Sequence, residues 1–175
     1  NDKIGHGTAV ASIIQKQVPN ATLYIYNLFS NMGRVDSVEL ANVLNQIHSC
    51  QQFDIIHLSC GIVSSDSIDV LHNVIKKIFY TGTIFVSAFD NEGSVSYPAA
   101  FEEVIGVDWN ALCPSGIKYI YMKDSLVNIL GTGSIQRLPW LNGTYKYVAG
   151  SSFAAPYITS IVAKCLENGI NKFSD

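Results

Sequence analysis

The sequence predicts an α/β fold, a three-layer sandwich in which helices cover both faces of a mostly parallel sheet. Helical and strand-like segments alternate three times along its first half. The strand-like runs are apolar at successive positions, as strands covered on both faces must be. Hydrophobic residues make up 48% and charged residues 14% of the 175 positions, a composition that favours one domain around a large core.

Taken in order, Ala9 to Gln17 is small and apolar without helix breakers, and Pro19-Asn20 separates it from the β-prone run Leu23 to Leu28. This pattern predicts a helix followed by a strand. Val38 to His48 repeats apolar residues at Val38, Ala41, Leu44 and Ile47, near helical spacing, and leads to a short apolar run, Phe53 to Leu58. Ile68 to Phe79 places Leu71, Val74, Ile75 and Ile78 on one side, ends near Gly82 and passes into the strand Thr83 to Ala88. From Val104 to Tyr147 turn signals at Pro114-Ser115-Gly116, Gly131-Thr132-Gly133 and Asn142-Gly143 divide short β-prone segments. A last helix is expected over Phe153 to Leu166, with Pro156 in its first turn, where the missing N–H costs little. No repeat or linker divides the chain, so residues 1–175 read as a single domain.

Charge and composition exclude several classes. A net charge of -3 and no basic cluster interleaved with aromatics argue against nucleic acid as a partner. No apolar run approaches the roughly 20 residues that span a bilayer, so no membrane span is expected. The chain reads as soluble, with cytoplasmic and secreted locations both open. Cys50, Cys60, Cys113 and Cys165 form no C-x-x-C pair and read as free thiols, and no metal site or cofactor is expected. The sequons Asn20-Ala21-Thr22 and Asn142-Gly143-Thr144 do not fix a compartment.

Three segments carry residue types that acyl transfer needs. Gly5-His6-Gly7-Thr8 sets an imidazole between two glycines at a helix start, where a base can reach a neighbouring cleft. Phe85 to Gly93 is a buried strand ending in Asp90-Asn91-Glu92, where an amide can donate to a developing oxyanion. Gly150-Ser151-Ser152-Phe153-Ala154-Ala155-Pro156 opens the final helix, and a serine there gains from free backbone N–H groups and the helix dipole. Taken singly, His6 reads as a capping histidine, Ser152 as an N-cap and Asn91 as a turn residue. His48, His57 and His72 lie in no motif and read as structural residues, and Cys60 as a packing residue.

Together the three segments resemble the subtilase motifs His-Gly-Thr-x-Val-Ala, Gly-Asn-x-Gly and Gly-Thr-Ser-Met-Ala-x-Pro, in family order. Ile56 to Gly61 is similar to the family's strand that pairs with substrate, and Tyr97-Pro98 with Val104 to Val107 to the stretch after the asparagine. The resemblance implies a subtilisin-like fold and a serine peptidase working through an acyl-enzyme. Ser152 would be the nucleophile, His6 the general base and Asn91 an oxyanion donor, with Ser59, Cys60, Gly61, Asp90 and Asp2 lining the substrate cleft. Its partner would be a peptide or protein substrate.

The sequence departs from the family pattern at several points. The triad aspartate, which in subtilases ends a core strand upstream of the histidine, has no counterpart before His6, and Asp2 matches an acidic position near the cleft instead. An absent N-terminal portion is therefore expected, and that segment or a propeptide is a further expected partner. The short path from Gln15 to Thr22 leaves out the family's calcium-loop insertion. Asp90 stands where glycine is usual. Two readings of it stay open: a wall of a pocket for Lys or Arg, or a turn cap beside a pocket narrowed by Phe89. A second function also stays open, a pseudopeptidase that keeps the groove for extended peptides. A lipase-like reading lacks its G-x-S-x-G elbow.

Overall fold

The computed structural model describes residues 2–28, 35–110 and 119–170. Helix α1 (His6–Gln17) is followed by α2 (Ser37–Cys50), β1 (Ile55–Leu58), α3 (Ile68–Phe79), β2 (Ile84–Ala88) and β3 (Val104–Trp109). Then come β4 (Tyr119–Tyr121), β5 (Ile129–Gly131), β6 (Gln136–Pro139), β7 (Tyr145–Val148) and α4 (Ser151–Glu167). Five strands form one sheet in the order β1-β2-β3-β5-β4, parallel except for β4, which runs antiparallel to β5. Strands β6 and β7 form a separate antiparallel hairpin. Its turn is tight because Asn142 and Gly143 both take positive φ, 55° and 70°, which those residue types tolerate.

Side-chain alternation along the strands divides the core. Ile56, Leu58, Phe85 and Val104 face α2 and α3, whose buried stripes are Leu40, Ala41, Leu44 and Ile47, and Leu71, Val74, Ile75 and Ile78. Each Val, Leu, Ile or Phe among them contributes roughly 1.5–3 kcal/mol on burial. Val86, Ala88 and Val107 face Ala154, Ala155 and Ile158 of α4 on the other side. Helix α1 joins that second layer through Ala9, Val10 and Ile13, which pack with Phe153 and with Leu138 of the hairpin. Helix α2 starts where the Asp36 carboxylate accepts from Val38 N at 2.7 Å, a side-chain cap of about 1 kcal/mol.

Two expectations from the sequence are corrected. Leu23 to Leu28 is not a strand: among the described residues it joins no ladder, and β1 closes that edge of the sheet. β-propensity reflects a fit to neighbouring strands, and among the described residues none pairs with this segment. Instead Tyr24 and Tyr26 set their rings edge-on to Phe53, with centroids 5.3 and 6.5 Å away. The second correction concerns Pro156. Helix α4 begins at Ser151, so Pro156 is past its first turn and removes an N–H that the helix would have used. The Pro114-Ser115-Gly116 turn and Cys113 lie outside the described residues.

Because β1, β2 and β3 are parallel and adjacent, their carboxyl ends face one way. Ser59–Gly61 leaves β1 at that end and Phe89–Asn91 leaves β2. This is where ligands bind in open α/β sheets.

Candidate active site

The start of α1 is held by Asp2. Its Oδ1 accepts from Ile4 N at 2.9 Å and Gly5 N at 2.8 Å, and its Oδ2 accepts from Thr8 N at 2.8 Å and Thr8 Oγ1 at 2.7 Å. Burial by itself would raise this carboxyl, but the bonds from Gly5, Thr8 and Ile4 outweigh it and hold the pKa down at about 2. These four bonds all serve the helix start. Asp2 therefore works as a cap for α1.

His6, the first residue of α1, is half-buried, and its ring centroid lies 5.3 Å from that of Phe153. The imidazole thus stands against the first turn of α4, one residue from Ser152. Burial pulls its pKa below the ordinary value, while the nearby charge of Asp2 opposes that shift. Gly5 makes the approach possible: it takes φ 94°, and a β-carbon there would run into the ring of Trp140.

Ser152 is half-buried in the first turn of α4. Neither its hydroxyl nor its N–H has a hydrogen-bond partner among the described residues, and no bond joins Oγ to His6. Such bonds often tighten only when substrate is present. Asn91 is exposed beyond the end of β2; its Oδ1 accepts from Ser151 N at 2.9 Å, and Ser151 Oγ stands 3.1 Å from it. With the oxygen so engaged, the amide NH₂ has no partner among the described residues and is left as a donor. The chain comes this close because position 150 is glycine, with φ 123°; a β-carbon there would lie 2.7 Å from Asn91 Oδ1. Ser151, which sequence reasoning passed over, also donates to Phe89 O at 2.6 Å and so ties α4 to the end of β2.

Just past β1, Ser59 donates from Oγ to the Ser152 carbonyl at 3.2 Å and meets His57 Nε2 at 2.7 Å. Ser59 and Cys60 are partly buried and Gly61 is exposed. Burial pushes the Cys60 thiol up to about 11, so it stays protonated at neutral pH and is no nucleophile. Asp90 accepts at Oδ2 from Glu92 N at 2.9 Å, while its own N–H donates to Ser96 Oγ at 2.8 Å. Asp108 is raised by burial, against a bond from Trp109 N that lowers it and with a smaller push from the charge of Asp90. Among the described residues no cluster of His, Cys, Asp and Glu could hold a metal ion, and no helix is long and apolar enough to cross a membrane.

A histidine, a serine and an asparagine thus converge from three separate segments on the carboxyl end of a parallel sheet, and the profile of the subtilase family (peptidase S8) matches residues 1–175. The chain belongs to the subtilase family. This subtilase is 28% identical to the minor extracellular protease Epr of Bacillus subtilis over 93% of its length, covering 26% of that protein. It is also 28% identical to the major intracellular serine protease of the same organism over 93% of its length, covering 55% of that protein. The chain therefore spans about a quarter and about half of these two relatives.

Solved structures bear out the subtilisin-like fold. Sphericase superposes with a TM-score of 0.76 at 22% identity, over 97% of this subtilase and 66% of that chain. A cold-adapted subtilisin-like serine proteinase gives 0.77 at 20% identity, over 94% and 62%.

Proposed function

We propose that this subtilase carries the nucleophile, general base and oxyanion donors of a serine endopeptidase. Ser152 Oγ attacks the peptide carbonyl and passes its proton to His6, which then protonates the leaving amine; water releases the acyl group by the reverse roles. The oxyanion forms between the Asn91 amide and the Ser152 N–H. The observation that carries this reading is the orientation of Asn91: its oxygen is taken up by Ser151 and its NH₂ is left over, beside a helix start where Ser152 presents a hydroxyl and an N–H with no partner among the described residues.

The third triad carboxylate is proposed to come from polypeptide outside residues 1–175. Asp2 is a poor substitute because both of its oxygens already accept two bonds each from the start of α1. A propeptide remains a proposed partner on the same footing.

For substrate choice we favour Lys or Arg before the cut bond. The Asp90 carboxylate uses one oxygen as a turn cap, and its charge acts on Asp108 at the end of the neighbouring strand β3. A cationic side chain would relieve their repulsion. The peptide itself would run as an extended strand beside Ser59–Gly61.

The test is a fluorophosphonate probe followed by peptide mapping. Labelling confined to Ser152 and lost in His6→Ala supports the enzyme. A chain that binds extended peptides but leaves Ser152 unlabelled, even with the missing carboxylate supplied by added upstream polypeptide, is the pseudopeptidase.

A further inference from the structure

The carbonyl of Ser152 lacks its helical partner. A carbonyl inside a helix accepts from the N–H four residues on, and for Ser152 that residue is Pro156, which has no N–H and whose ring crowds the same carbonyl. The Ser59 hydroxyl fills the gap from the neighbouring strand, 3.2 Å away. A buried carbonyl left without a donor would otherwise carry the full desolvation penalty.

Behind Ser59 stands His57, whose Nε2 is 2.7 Å from Ser59 Oγ and whose Nδ1 is 2.7 Å from Thr159 Oγ1 on α4. Counting protons sets the direction of this chain. Ser59 has one proton, spent on Ser152, so its oxygen must accept from His57 Nε2–H; a neutral imidazole then accepts at Nδ1 from the Thr159 hydroxyl. That hydroxyl also lies 3.2 Å from Ala155 O, a longer alternative for the same proton. The imidazole is kept neutral by burial, which lowers its pKa to about 4, and by the nearby His6.

We propose that His57 is a positioning residue for the nucleophile: through Ser59 it aims the hydroxyl that replaces the missing N–H of Pro156, and so sets the turn of α4 from which Ser152 acts. The relay Thr159, His57, Ser59, Ser152 leaves α4 in its third turn and returns to its first by way of β1. Its catalytic meaning rests on the function proposed above, whereas its hydrogen bonds do not.

Urea unfolding of the full chain tests the relay without reference to activity. Ser59→Ala should lower the folding equilibrium constant about tenfold. In a Pro156→Ala background, where position 156 regains an N–H for the Ser152 carbonyl, the same change should cost less by about threefold or more, the loss of the Ser59 acceptor for His57 being common to both backgrounds. Equal losses in the two backgrounds overturn the proposal. So does an imidazole ¹⁵N spectrum showing His57 protonated at Nδ1 at neutral pH.

The positioning role is read from the fluorophosphonate labelling rate of Ser152. His57→Leu should slow labelling about tenfold, and His57→Gln, whose amide can both donate and accept, should restore most of the rate. Parent rates in both variants, or equal losses in both, overturn it. A parent that does not label even with upstream polypeptide added counts against the proposed peptidase function and against the positioning role together, while the unfolding cycle still decides whether the relay exists.

Discussion

Asn91 Oδ1 lies 2.9 Å from the backbone N–H of Ser151 and 3.1 Å from its hydroxyl. The residue before the proposed nucleophile thereby decides which end of the amide faces away from α4. Replacing Asn91 with Leu is expected to slow Ser152 labelling by about 10²–10³, the range for losing one oxyanion donor. Ser151→Ala keeps the backbone bond and should cost less, about two- to tenfold. An equal cost for the two changes, measured as labelling rates side by side, would show that Asn91 does not act as the donor.

Ser152→Ala should abolish labelling with little change in folding, because it removes one oxygen near a helix start. Any loss of a capping contribution is limited to about 1 kcal/mol. His6→Ala should act alike, and the double variant should be little worse than either, since the two groups serve one proton transfer. Additive losses in peptide hydrolysis would argue that they work independently.

Gly5→Ala should destabilise the chain by about 1–3 kcal/mol, since Gly5 holds φ 94° and a β-carbon would collide with Trp140. Urea titration followed by tryptophan fluorescence reads both the midpoint and the displaced indole. An unchanged midpoint would mean that His6 is not held by this contact.

Stability should rise with pH in two steps of different origin. His57 titrates at about 4 in the folded chain against an ordinary 6.5, so the unfolded state binds more protons between these values. Its contribution is full above 6.5 and is lost as pH falls to 4. Asp2, lowered from 3.8 to about 2, contributes fully above 3.8 and fades as pH falls through 2. Unfolding midpoints from pH 8 to 2 should show the upper step shrink in His57→Gln, leaving the part that the likewise lowered His6 supplies, and persist in Asp2→Asn. A pH-independent midpoint between 4 and 6.5 would contradict the buried, neutral His57.

A peptide library decides the pocket. Enrichment of Lys or Arg before the cut bond, reduced in Asp90→Gly, is the expected result. No enrichment, or a preference untouched by Asp90→Gly, would leave Asp90 as a turn cap alone.

Much of this was legible in the sequence because it is local. Helical spacing marks the buried stripes of α2 and α3, apolar runs mark β1 and β2, and the motifs around His6, Asn91 and Ser152 sit at the element ends that the fold requires. Each of these signals depends on neighbours within a few residues. What only the tertiary structure decided depends on partners distant in the chain. Leu23 to Leu28 has strand propensity but pairs with no strand among the described residues, so propensity alone could not make it one. The partnership of Asn91 with Ser151 spans 60 residues, and that of Ser59 with Ser152 spans 93. His57 reads as a lone structural histidine until α4 folds across β1 and brings Thr159 to one nitrogen and Ser59 to the other. Hydrogen bonds of this kind exist only once packing has excluded water and fixed both partners, and no pattern along the chain encodes that.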